Sequence, residues 1–203
     1  MKNETDTPCF NCSAPENPAR RSALMKMCTG ALLGLTAATP HRSHAAEVSD
    51  ARPETGDLLV RADPEGNTEP LTLADLALGD KPILAFPFDP GSGAIKSGSR
   101  LNKVIVFRVA PDDIHEDMRR KCADGVVAYS AVCTHQGCDI TNYVAKDNAL
   151  ICFCHFSQFR PTHGGEVIAG PAPRGLPVLP LKVENQRLVV AGKFSSKPGA
   201  TAV

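Results

Sequence analysis

Short apolar runs alternate with turn residues along most of the chain. Leu58–Arg61, Pro82–Phe86 and Leu101–Val109 are rich in β-branched and aromatic residues and predict strands. The last two are separated by Asp89-Pro-Gly-Ser-Gly and Ser97-Gly-Ser, which is turn chemistry. A further β-rich run, Val126–Val132, delivers the chain straight into Cys133. Val178–Glu184 and Arg187–Ala191 bracket Asn185-Gln186 and read as a hairpin. Thr72 to Leu78, stopped by Gly79, predicts a two-turn helix, and a second short helix is expected to begin near Asp112. Residues 46–57 are polar and read as a flexible leader. The pattern therefore predicts one all-β, mostly antiparallel domain over residues 58–203, with its loops gathered at one end.

The remaining apolar run, Met27 to Thr39, is about a dozen residues, where a membrane-spanning helix needs roughly 20. Arg20-Arg21-Ser22-Ala23-Leu24-Met25-Lys26 precedes it and the small residues of Ser43-His44-Ala45-Ala46 follow. Charged region, apolar region and cleavage site in that order make residues 1–45 a signal segment. The paired arginines resemble a twin-arginine export signal, a route that carries folded chains, and so imply a periplasmic protein. Membrane association is expected only if this segment is retained. Cys9 and Cys12 precede the signal, and Cys28 lies within its apolar run.

Composition narrows the function classes. The chain has 42% apolar and 22% charged residues, as soluble globular proteins do. Its 22 basic and 22 acidic residues cancel, which leaves no electrostatic footprint for nucleic acid. Seventeen prolines, 16 glycines and no tryptophan favour short strands and loops over a helical bundle. Eight cysteines are many for a reducing compartment, and four of them crowd between Cys133 and Cys154.

Those four fall in two short segments, Cys133-Thr-His135-Gln-Gly-Cys138 and Cys152-Phe-Cys154-His155-Phe-Ser157. Each segment offers one thiolate and one imidazole, a set that can hold a small metal centre between two loop tips. Three readings compete. Cys133, His135, Cys152 and His155 suffice for a structural zinc site in a binding module with no redox role. Four cysteines also suffice for two disulfides, with the histidines incidental. The third reading is a [2Fe–2S] centre in which two cysteines hold one iron and two histidines the other.

The segment from Val126 to Gly175 closely resembles the Rieske proteins of quinol-oxidising complexes, and the rest of residues 46–203 does so weakly. That resemblance implies a Rieske-type antiparallel β-sandwich with a small cluster-binding subdomain of loops at 133–138, 152–157 and 170–173. It implies one [2Fe–2S] cluster held by Cys133, His135, Cys152 and His155, and a Cys138–Cys154 disulfide clamping the first two loops. Gly170-Pro-Ala-Pro173 looks like the proline-rich third loop that covers the cluster, so Gly170 and Pro171 are expected to tune it. Imidazole ligation raises the potential above that of an all-thiolate cluster. Reduction is expected to couple to proton uptake at alkaline pH.

Finer features choose among Rieske types. Oxygenase ferredoxins lack the extra pair Cys138 and Cys154. Ser157 matches a serine that bonds a cluster sulfide in high-potential members, whereas Phe159 stands where quinol-oxidising members carry a tyrosine. Gln136 replaces an apolar residue that faces the quinone pocket. Cys154 to Pro161 looks more like the small Rieske subunit of arsenite oxidase. That likeness implies an electron-transfer subunit without a substrate site of its own, paired with a molybdopterin-containing catalytic large subunit and a periplasmic acceptor such as cytochrome c or a copper protein. The alternative is the Rieske subunit of a quinol–cytochrome c reductase. His115 and His163 read as lone surface histidines, and Cys122 as a small buried side chain.

Overall fold

The structure is a computed structural model describing residues 46–63 and 66–200. The expected signal segment, with Cys9, Cys12 and Cys28, lies outside the described residues. Eight strands form the base sheet: β1 (Glu47–Val48), β2 (Leu58–Arg61), β3 (Ile83–Asp89), β4 (Ala94–Ile95), β5 (Val104–Arg108), β6 (Val126–Ser130), β11 (Leu181–Glu184) and β12 (Arg187–Val190). Their order is β1-β4-β3-β2-β12-β11, and β5 also pairs with β3 and carries β6 at its other edge. Strands β1 and β4 run parallel, and the other pairs are antiparallel. A second antiparallel sheet, ordered β10-β9-β8-β7, holds β7 (Asn142–Val144), β8 (Ala149–Cys152), β9 (Ser157–Arg160) and β10 (Glu166–Ala169).

The two sheets meet through β5 and β6. Successive side chains of a strand point to opposite faces. Ile105, Phe107, Val127 and Tyr129 enter a core shared with Leu150, Phe159, Cys133 and Cys152. Val104, Val106, Val126 and Ala128 enter a second core with Leu59, Leu179 and Leu188. A strand buried on both faces must be apolar at every position, which is why these two read as unbroken runs. The phenol of Tyr129, sunk in the first core, donates to the carbonyl of Pro161 and so leaves no unpaired buried hydroxyl.

The elements expected from sequence hold, with two changes. The helix expected from Thr72 to Leu78 is a single 3-10 turn, Leu73–Asp75. Asp75 closes it at once, accepting from the Thr72 backbone N–H at 2.8 Å and the Thr72 hydroxyl at 2.7 Å. A run this short cannot recover the cost of helix nucleation. The helix expected near Asp112 is a 3-10 turn, Pro111–Asp113, followed by α1 (Glu116–Arg119). Asn185 (φ 50°) and Gln186 (φ 66°) are both left-handed and make the tight turn of the β11–β12 hairpin.

Residues 46–57, read from sequence as a flexible leader, are tied to the base. Besides the β1–β4 pairing, buried Asn102 donates to the carbonyls of Ala51 (2.7 Å) and Lys96 (3.0 Å). Lys96 Nζ contacts the Arg52 carbonyl at 3.2 Å and both Asp57 oxygens at 2.9 and 2.7 Å. This ion pair is almost fully buried, with each residue about 5% exposed or less.

Candidate metal centre

Strand β6 ends at Ser130 and passes into the first loop, 133–138. A bridge between Val132 and Asp139 closes its neck. Within it, Cys133 N–H donates to the Cys138 carbonyl (2.8 Å) and Gly137 N–H to the Cys133 carbonyl (3.0 Å). The second loop is the β8–β9 connection, in which Phe156 N–H donates to the Cys152 carbonyl at 2.8 Å. Gly170 opens the third loop at φ +85°, where a Cβ would stand 2.5 Å from Ser157 Cα and 2.6 Å from the Phe156 oxygen. Only glycine lets the third loop lie this close against the second.

The first two loops bring the expected residues together in pairs. Cys138 and Cys154 form a disulfide with Cα atoms 6.6 Å apart, joining the first loop to the second. Cys133 and Cys152 remain thiols and are buried to 1% and 2% exposure. The His135 and His155 rings meet edge to face, 4.7 Å between centroids. His155 is exposed, and exposed Phe153 and Phe156 flank it. The Cys152 sulfur lies within 4.8 Å of both disulfide sulfurs, but those two are oxidised and have no thiolate to offer a metal.

Chemically, the thiols and imidazoles form a donor set. Burial pushes the Cys133 thiol up, and neighbouring Cys152 raises it further, while the His135 N–H and the Ser157 hydroxyl pull it back toward the thiolate. His135 Nδ1 is buried without a hydrogen-bond partner. Buried polar atoms are almost always paired, so an imidazole nitrogen buried without a hydrogen-bond partner, in the loop that bears a buried thiol, suits a metal ligand. Two sulfurs and two nitrogens fit a cluster with one thiolate-held and one imidazole-held iron.

Ser157 is fully buried, and its hydroxyl accepts from Ala172 N–H at 3.1 Å while lying against the Cys133 sulfur. Phe159 is a core residue of β9, opposite Leu150 and Val167. Pro171 and Gln136 are exposed. His115 and His163 are not isolated: their rings stack 5.1 Å apart, at the end of β9 remote from the second loop. Cys122 is half-buried, and burial raises its pKa, as suits an inert thiol. Sequence reading missed Thr134, which is fully buried and donates to the Arg174 carbonyl at 2.6 Å, tying the first loop to the third. A threonine between two ligands is a local signal for such a tie. Arg100, which donates to the Gly137 carbonyl at 2.6 Å from 37 residues away, carried none.

Comparison with known proteins adds to this geometry. Residues 92–180 match the profile of the Rieske [2Fe-2S] domain. A protein of Haloferax mediterranei described as a respiratory nitrate reductase Rieske subunit is 32% identical over 171 residues, which cover 83% of this chain and 73% of that protein. The cytochrome bc1 complex Rieske iron-sulfur subunit of Streptomyces lividans is 32% identical over 150 residues, covering 71% of this chain and 85% of that one. Its counterpart in Corynebacterium diphtheriae is 38% identical over 104 residues, but only 26% of that longer protein is covered. Among solved structures, the cyanobacterial plasma membrane Rieske protein PetC3 from Synechocystis PCC 6803 aligns over 59% of this chain and 93% of its own, with a TM-score of 0.40 and 24% identity.

Proposed function

Since the chain belongs to the Rieske [2Fe–2S] family, we propose that this iron–sulfur electron-transfer protein is the small subunit of an exported oxidoreductase, with catalysis on a molybdenum-containing large subunit of the arsenite-oxidase type. In this reading Cys133 and Cys152 hold one iron of the cluster, and His135 and His155 hold the other. When bound, the cluster takes up and releases one electron at a time. The remaining work belongs to the chain. Cys138–Cys154 keeps the two ligand loops at fixed separation. Ser157 orients the Cys133 sulfur and the third loop together. His155, at the exposed end of the site, offers the short path to a partner. The single observation that carries the ligand set is the buried, unpartnered His135 Nδ1 in the loop that also bears the buried Cys133 thiol.

Phe159 and Gln136, at positions where quinol-oxidising members carry a tyrosine and an apolar residue, support the arsenite-oxidase-like pairing. The match to a Rieske subunit of a respiratory nitrate reductase supports the coarser point, a catalytic partner subunit. No helix among the described residues is long and apolar enough to cross a membrane. The bc1 relatives favour a second reading, the Rieske subunit of a quinol–cytochrome c reductase. Export by the twin-arginine route into the periplasm is part of the proposal and rests on Arg20-Arg21 and the run after it.

Metal analysis of the complex that co-purifies with the tagged full chain from its native host tests the pairing. Molybdenum with non-haem iron, and reduction of the cluster by arsenite, is the expected result. Haem without molybdenum, with quinol-dependent reduction, would replace it with the second reading. For the ligands, His155→Cys is expected to leave a cluster of much lower potential or none; an unchanged potential would overturn the assignment.

A further inference from the structure

The first ligand loop is anchored by side chains outside the binding motif. Arg100 sits in the 3-10 turn Arg100–Asn102, directly before β5, and buried Asn102 fixes that turn through its bonds to Ala51 and Lys96. From there one guanidinium nitrogen, Nη2, donates to the Gly137 carbonyl at 2.6 Å and to Asp139 Oδ1 at 2.7 Å. Lys103 Nζ takes the other oxygen, Asp139 Oδ2, at 2.8 Å. Gly137 and Asp139 are the two neighbours of Cys138, so both sides of the disulfide cysteine are clamped. Gly137 is left-handed (φ +80°), and outside its chain neighbours the nearest atoms to a hypothetical Cβ are Arg100 Nη1 at 3.8 Å and Val132 Cγ1 at 3.9 Å. The loop thus has room to move if Arg100 lets go.

We infer that Arg100 is a positioning residue for the metal centre, holding the Gly137–Asp139 segment on the base sheet so that the loop bearing Cys133, His135 and Cys138 keeps one geometry in both redox states; this rests on the electron-transfer reading above. A planar, permanently charged group that bonds a carbonyl and a carboxylate together is suited to this task, and lysine is not its equivalent. An isolated surface pair contributes little, but here two cations share one carboxylate, and a carbonyl bond is added. The consequence is local stiffness. Opening of the loop, rather than of the whole domain, is what Arg100 suppresses.

The test uses the purified full chain with its cluster, as wild type, Arg100→Gln, Arg100→Lys and Asp139→Asn, with Arg61→Gln as a control at a remote exposed pair, Arg61–Asp75. Reduction of Cys138–Cys154 by dithiothreitol, followed by thiol labelling and mass spectrometry, reads loop opening without reference to electron transfer. Arg100→Gln is expected to speed it about tenfold, the size of a lost charged hydrogen bond discounted for exposure. Arg100→Lys, which keeps the charge, should speed it nearly as much. Spectroelectrochemistry should find the potential shifted in Arg100→Lys as well as in Arg100→Gln, since the first keeps the charge and both release the loop, and Asp139→Asn, which frees the same segment, should speed disulfide reduction too. Disulfide reduction in Arg100→Gln no faster than in Arg61→Gln, or a potential shifted in Arg100→Gln but kept at the wild-type value in Arg100→Lys, would overturn the inference, because the arginine would then act by its charge alone. A wild-type chain that binds no [2Fe–2S] cluster would instead overturn the functional reading and leave the labelling result to judge Arg100.

Discussion

At the scale of single residues the site was legible because metal chemistry is written in side-chain identity and local spacing. Cys133, His135, Cys152 and His155 can be picked out from two six-residue segments. Arg100 could not, since its role depends on a fold that brings it to a loop 37 residues away. Ser157 lies between these cases, recognisable by position but bifunctional only in three dimensions: it serves a ligand sulfur on one side and the third loop on the other. Ser157→Ala leaves the Ala172 N–H buried without an acceptor, which costs about 1–3 kcal/mol. Denaturant unfolding should show a loss of that size, and spectroelectrochemistry a lower potential, because a donor that favours the more negative sulfur is gone.

At the scale of elements, β5 and β6 were readable from sequence because burial on both faces leaves an uninterrupted apolar signature. Strands β7 to β10 were not. Asn142-Tyr-Val, Ser157-Gln-Phe-Arg and Glu166-Val-Ile-Ala are too short and too mixed to announce a sheet, and cross-strand pairing completes them. The subdomain expected as loops is therefore a small sheet that carries loops at one end. In the leader, Lys96–Asp57 does the fastening that composition could not disclose. Asp57→Asn strands a buried ammonium and should lower stability by about 3–5 kcal/mol in chemical denaturation. A third element-scale effect depends on pH. Partial burial raises the Asp139 pKa, but Lys103 and Arg100 outweigh it and hold the carboxyl below its ordinary 3.8. A carboxyl depressed in the folded state stabilises above its unfolded pKa, and that contribution disappears as pH falls through the folded value. The wild-type melting temperature should therefore drop more steeply below about pH 4 than that of Asp139→Asn, as calorimetry across that range would show.

At the scale of the whole described domain, two cores share one wall. A cavity cut at Phe107 or Tyr129 on one face of β5–β6 is backed by Val106 and Ala128 on the other, so the base sheet and the ligand loops resist deformation together. The disulfide acts within this frame, and it has a bearing on the order of events in the life of the chain. With Cys138 and Cys154 joined, the thiols of Cys133 and Cys152 are at 1% and 2% exposure. The clasp is therefore expected to close last. Cofactor insertion belongs to the time before oxidation, and a chain that was oxidised first would be sealed empty. Apo-protein with its disulfide intact should fail to take up iron and sulfide, as followed by visible absorbance, until a reductant opens Cys138–Cys154. Uptake at equal rates with and without reductant would contradict this order. A twin-arginine route, which moves chains already folded, would carry such a molecule to the oxidising side with the cluster in place and only the clasp left to close.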